Sequence, residues 1–182
     1  MKKTVFAITL LLAANCLFAQ KMMTRNGEIK FEASMPALEE VAATNTTASC
    51  IFDKATGEFV TLVLMKGFKF KVPLMEEHFN ENYVESSQYP KATFKGRVLN
   101  FDAAKQAASK MVYDVEGDLT LHGVTKKVKS KITFSMVNGK LLATSNFTIK
   151  PKDYNIEIPN LVKNKIAEQV QIAVNFTLEE KK

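Results

Sequence analysis

Two histidines, His78 and His122, and two cysteines, Cys16 and Cys50, are the residues of this 182-residue chain best suited to metal binding or nucleophilic chemistry. Their spacing supports neither. A zinc site needs three or four nitrogen or sulfur ligands converging on one point, and neither histidine has a second histidine or a cysteine at ligand spacing. The chain also has no G-x-S-x-G elbow, no phosphate-cradling glycine loop and no C-x-x-C pair. Acid–base and nucleophilic catalysis need such groups assembled together, so the expectation is a protein that is not an enzyme and holds neither metal nor cofactor. His122 precedes Gly123 in "HGVT" and reads as a turn residue bonded to local backbone. Its functional alternative is a polar contact at a barrel mouth. His78 falls in an amphipathic stretch and reads as a cap or packing residue.

The elements that would position these residues begin after a leader. Lys2 and Lys3 precede an apolar run from Val5 to Ala14, followed by Leu17, Phe18 and Ala19. That run is shorter than the roughly 20 residues a membrane-spanning helix needs, and it reads as a secretory signal peptide cut after Ala19. Export to a periplasmic or extracellular space is the expectation. Lipid attachment at Cys16 is the rival reading, but Asn15 stands where a small residue is expected. Residues 20–182 then suit one domain with a sizeable core. Cys50 is their only cysteine, so no internal disulfide can form. Losing Lys2 and Lys3 lowers the net charge from +6 to +4. The remaining lysines, densest in "KGFKFK" and "TKKVKSK", alternate as on a solvated strand face, so no nucleic-acid partner is expected.

Beyond the leader the dominant period is two. "IKFEASM" puts Ile29, Phe31, Ala33 and Met35 on one face, and "TASCIFD" continues with Ala48, Cys50 and Phe52. "EFVTLVLM" is apolar on both sides, which predicts that something covers its outer face. "VYDVEGDLTL" and "VKSKITF" flank "HGVT" as a hairpin whose outer faces carry Asp114, Glu116 and Asp118 opposite Lys127, Lys129 and Lys131. "NGK" turns into "LLATSNFTI", and the last strand alternates Val170, Ile172, Val174, Phe176 and Leu178 with mostly polar residues. Residues 73–86, opening on Pro73 with Glu76 and Glu77 close behind, predict a helix, and "DAAKQAASK" a second short one. About eight strands and one or two short helices give a single all-β antiparallel domain, best protected at its edges by closing into a barrel. An eight-stranded barrel is either filled by side chains or holds one small ligand. Periodicity alone leaves both open.

"YPKATFKGRV" and, after a gap, "VEGDLTLHGVTKKV" resemble the paired signature of the YceI-like, lipocalin-like family of polyisoprenoid-binding proteins. The resemblance is carried by Tyr89, Pro90, Phe94, Gly117, Asp118, Leu119, Thr120, Gly123, Val124, Thr125 and Lys126, with "LMEEHFNENYVES" similar to a family variant that has a helix before the tyrosine-proline step. "PKDYN" keeps Asp153, Tyr154 and, in place of glycine, Asn155 of a late family segment, but lacks its arginine. The family's histidine-containing first-strand motif is also absent. The resemblance implies an eight-stranded lipocalin-like barrel around an apolar channel. It would hold an isoprenoid, quinone or fatty-acyl-like lipid for sequestration or transport, with transient membrane contact. Strand parity would then line the lumen with Phe68, Phe70, Phe94, Val98, Tyr113, Leu119, Leu121, Ile132, Phe134, Phe147, Ile172, Val174 and Phe176. The alternative is a filled barrel acting as a structural or protein-interaction module.

Overall fold

The computed structural model describes residues 21–102 and 110–180. The expected leader and the helical piece expected around residues 103–109 lie outside them. The described residues form nine strands: β1 (Lys21–Ser34), β2 (Ala42–Asp53), β3 (Glu58–Leu64), β4 (Lys69–Phe70), β5 (Lys91–Val98), β6 (Met111–Leu121), β7 (Val124–Val137), β8 (Lys140–Ile149) and β9 (Ile166–Glu180). Every pairing is antiparallel. The order runs β1-β9-β8-β7-β6-β5-β3-β2 and β2 returns to β1, closing an eight-stranded barrel, while β4 adds two residues beside Ala43 and Thr44 of β2. β9 ties the last described residues into the wall, pairing with both β1 and β8.

The turns follow from residue type. His122 and Gly123 both adopt positive φ (50° and 74°), as do Asn138 and Gly139 (51° and 76°), so each forms the two-residue hairpin loop whose twist matches the flanking strands. Across the β6–β7 hairpin the outward charges meet directly: Asp118 with Lys127, Glu116 with Lys129 and Asp114 with Lys131, at 3.0, 3.1 and 2.8 Å. The pairs are solvated, so they fix register more than they add stability.

Three expectations need correction. Phe68 and Phe70 do not sit on a long strand, because β3 ends in a 3-10 turn at Met65–Gly67 and only the short β4 follows. Buried Asn45 holds that break. Its amide nitrogen donates to Leu64 O at 2.9 Å, and its oxygen accepts from Thr47 N at 2.8 Å. The helix expected over 73–86 is α-helical only at α1 (Pro73–His78). The next five residues, Phe79–Tyr83, form a π turn closed by Val84 N donating to Phe79 O. The outer face of β3 is not covered, and Leu64 remains 54% exposed.

One stretch of wall lacks a ladder. β7 pairs β8 only from Ile132↔Ser145 downward to Val137↔Lys140, so Val124–Lys131 runs past Asn146–Ile149 without strand pairing. Hydroxyls bridge the start of this seam: Ser145 Oγ donates to Lys131 O at 2.8 Å and Ser130 Oγ to Asn146 O at 3.2 Å.

Candidate ligand-binding cavity

Inward side chains alternate along every strand of a barrel, so whether it is hollow depends on their size and height. Here the two ends differ. At the end carrying the β2–β3 and β7–β8 turns, aromatic rings fill the bore. Phe52 stacks on Phe134 at 4.9 Å and meets Phe101 edge-on at 4.7 Å, while Tyr113 packs against both Phe101 and Phe134. Val98, Leu141 and Leu178 are buried around them. Such tilted and offset ring contacts suit the aromatic quadrupole and leave little void.

The other half is hollow. A cavity of about 730 Å³ rises from Phe59, Val115, Ile132 and Phe176 to the opposite end of the barrel. That volume lies in the range of roughly 300–1,000 Å³ typical of small-molecule sites. Its wall is almost wholly apolar. Thr61, Thr93, Ser130 and Ser145 are small polar exceptions, and the lining residues Glu39, His78 and Lys165 come from the segments that surround the mouth. Tyr83 also lines it, and burial raises the pKa of its phenol above the usual range.

Close approach of backbone keeps the bore open at one level. Gly96 and Gly117 pair directly across β5 and β6, and the Phe94 ring lies over them. A Cβ on either would come within 2.5 or 2.8 Å of Phe94 Cζ. The ring fills the space the glycines leave and hugs the wall. At the mouth, Phe31, Phe68, Phe70 and Phe79 form a second aromatic cluster, with Phe31 stacked on Phe79 at 5.3 Å, which seats α1 and its π turn on the barrel.

Of the residues expected to line the lumen, Phe68, Phe70, Phe94, Leu119, Leu121, Ile132, Phe147, Ile172, Val174 and Phe176 face the cavity. Val98, Tyr113 and Phe134 do not. They point inward, as parity requires, but sit below the floor in the packed end. Parity gives the face of a strand and carries no information about height along the axis. The cavity also takes in residues absent from that set, among them Phe31, Phe79, Ile149, Ile156 and Ile158. The signal for Ile156 and Ile158 was their shared parity in "NIEIP"; Phe79 and Phe31 meet only through the fold.

His122 departs from the expected local bonding. Its Nδ1 donates to Tyr154 O at 3.0 Å and its Nε2 lies 2.7 Å from a Glu85 carboxylate oxygen, with Tyr89 edge-on to the ring at 4.4 Å. Since the carbonyl can only accept, the ring donates through both nitrogens when it is charged and Glu85 ionised. It thereby ties the β6–β7 turn to the segment after α1 and to the 3-10 turn Pro151–Tyr154. Asn155 caps that turn at φ 55°, the left-handed conformation that glycine and asparagine adopt most readily. Cys50 is buried in the core, and desolvation holds its thiol far above the usual pKa. Among the described residues no group of histidines, cysteines and carboxylates is placed to hold a metal ion.

A sequence model of the YceI-like domain matches residues 20–178. The chain belongs to the YceI-like family. Solved structures share the YceI-like fold at low identity. A polyisoprenoid binding domain from Saccharophagus degradans aligns with TM-score 0.76 and 18% identity, over 90% of this chain and 99% of its own. BcnA of Burkholderia cenocepacia gives 0.66 and 18%, over 83% and 94%. A Campylobacter jejuni YceI protein gives 0.63 and 16%, over 81% and 89%. No curated protein matches the chain.

Proposed function

We propose that this YceI-like domain is an exported lipid-binding protein that holds one isoprenoid-like or other long-chain amphiphile in its cavity, for sequestration or transport. The observation that carries the reading is the cavity itself, a bore of about 730 Å³ with apolar walls, a packed floor and one open end. A hydrocarbon tail presents no directional groups, so apolar walls suffice to bind it, and each buried methylene contributes roughly 0.8 kcal/mol. Glu39, His78 and Lys165 stand where a polar head group would emerge. Isoprenoid, quinone and fatty-acyl tails all satisfy these requirements, and the name of the Saccharophagus relative favours the first. The apolar run before Ala19 supports export.

The test is extraction of the purified protein followed by mass spectrometry, then titration of the delipidated protein with isoprenoids of increasing length. Recovery of a stoichiometric long-chain amphiphile, with affinity rising with chain length until the cavity is full, is the expected result. A protein that purifies empty and binds no member of the series would instead be a structural or interaction module.

A further inference from the structure

A cavity with a packed floor is loaded and emptied through its mouth, and five large apolar side chains are exposed on the rim of that mouth. Three separate segments meet there: the β1–β2 loop, the stretch from β4 into α1, and the long β8–β9 connection. Each carries a large apolar side chain into solvent. Leu38 is 51% exposed, Leu74 56% and Leu161 88%, with Met35 and Val72 beside them. Leu38, Val72 and Leu74 also line the cavity, so the apolar surface runs without a break from the bore onto the rim. Two lysines follow the most exposed residue, in the order Leu161, Val162, Lys163, Asn164, Lys165, while on the other two segments Glu40 and Glu76 are paired with Lys71 and Lys69. Exposed apolar tips on separate loops, continuous with a lipid-sized bore and with Lys163 and Lys165 beside the most exposed of them, match the interfacial region of a bilayer. There apolar side chains enter the acyl boundary while lysines stay among phosphates.

We propose that the mouth docks on the surface of an anionic lipid bilayer, with Leu38, Leu74 and Leu161 inserted and Lys163 facing phosphate head groups. The lipid then passes between bilayer and cavity without crossing bulk water. This rests on the reading of the cavity as an amphiphile site, but the two can be tested apart. Delipidated protein is floated with phosphatidylcholine vesicles, with and without phosphatidylglycerol. Separately, its affinity for a short, water-soluble fluorescent isoprenoid is measured without vesicles.

The protein is expected to co-float, more with the anionic vesicles. Met35→Glu combined with Leu161→Glu should lower that partitioning by about tenfold or more, since both remove apolar area from the rim and add charge. Both positions are exposed and neither lines the cavity, so the melting temperature and the affinity for the soluble probe should stay unchanged. Lys163→Gln should reduce only the preference for phosphatidylglycerol. Equal flotation of the double variant, or no flotation of the parent protein, overturns the docking. A parent protein that dimerises through the rim and becomes monomeric on Leu161→Glu also overturns it, assigning the rim to a second copy. Flotation that follows the expected pattern in a protein unable to bind the soluble probe upholds the docking and removes the cavity reading instead.

Discussion

The ring of Phe94 rests on Gly117, close enough that a Cβ there would stand 2.8 Å from Phe94 Cζ and 2.4 Å from Gly96 Cα. The largest side chain at that level of β5 therefore lies along the wall instead of across the bore. Gly117→Ala should force β5 and β6 apart and lift the ring, lowering stability by about 1–3 kcal/mol, as overpacking does. Chemical denaturation measures the cost. A variant as stable as the parent would mean the two strands do not approach this closely.

Val98 and Val174 separate the two halves of the barrel. Val98 is buried in the packed end, whereas Val174 lines the cavity. Val98→Phe should destabilise the empty protein by about 1–3 kcal/mol while leaving relative affinities across an isoprenoid length series unchanged. Val174→Phe should show the reverse, near-parental melting temperature without ligand and a penalty that grows with chain length. Equal destabilisation by both would indicate a barrel filled throughout.

His122→Ala removes two hydrogen bonds that join three segments. Stability should fall by about 1–3 kcal/mol, the cost of leaving such partners unsatisfied. Affinity for the lipid should change by no more than a few-fold, since His122 does not line the cavity. Complete loss of binding with an intact fold would make it a head-group ligand.

Cys50 should resist thiol reagents in the folded protein and react at the rate of unfolding, because burial keeps it protonated. The same burial carries a pH signature. A thiol whose folded pKa is raised keeps its proton while the unfolded chain releases it, so its contribution is complete below the ordinary value of 9.0 and falls as pH climbs beyond. Cys50→Ala should therefore lose less stability than the parent between neutral and strongly alkaline pH. Parallel curves would place the thiol in contact with water.

The barrel was legible in the sequence because alternation, the "HG" and "NG" turns and the opposed charges of Asp114–Asp118 and Lys127–Lys131 all report on neighbours a strand apart. Facing was legible for the same reason, which is why Phe94, Ile172 and Val174 turn inward as expected. Height was not. Nothing in the spacing of Phe134 distinguishes it from Ile132 two residues away, yet Ile132 lines the cavity and Phe134 lies beneath the floor, where Phe52 arrives from β2 and Phe101 from the segment after β5. The mouth was equally silent. The meeting of Phe31 with Phe79, and of His122 with Glu85, depends on how the chain between β3 and β5 folds back, and neither leaves a local pattern.

The seam between β7 and β8 makes the cylinder unequal in strength around its circumference. Along most of the wall, parting two neighbouring strands means breaking a row of backbone bonds together. Between Val124–Lys131 and Asn146–Ile149 strand pairing stops, and the hydroxyls of Ser130 and Ser145 bridge the start of the gap. Amide exchange should be fastest along this line, and it is where the girth of the bore can stretch while the aromatic floor stays shut.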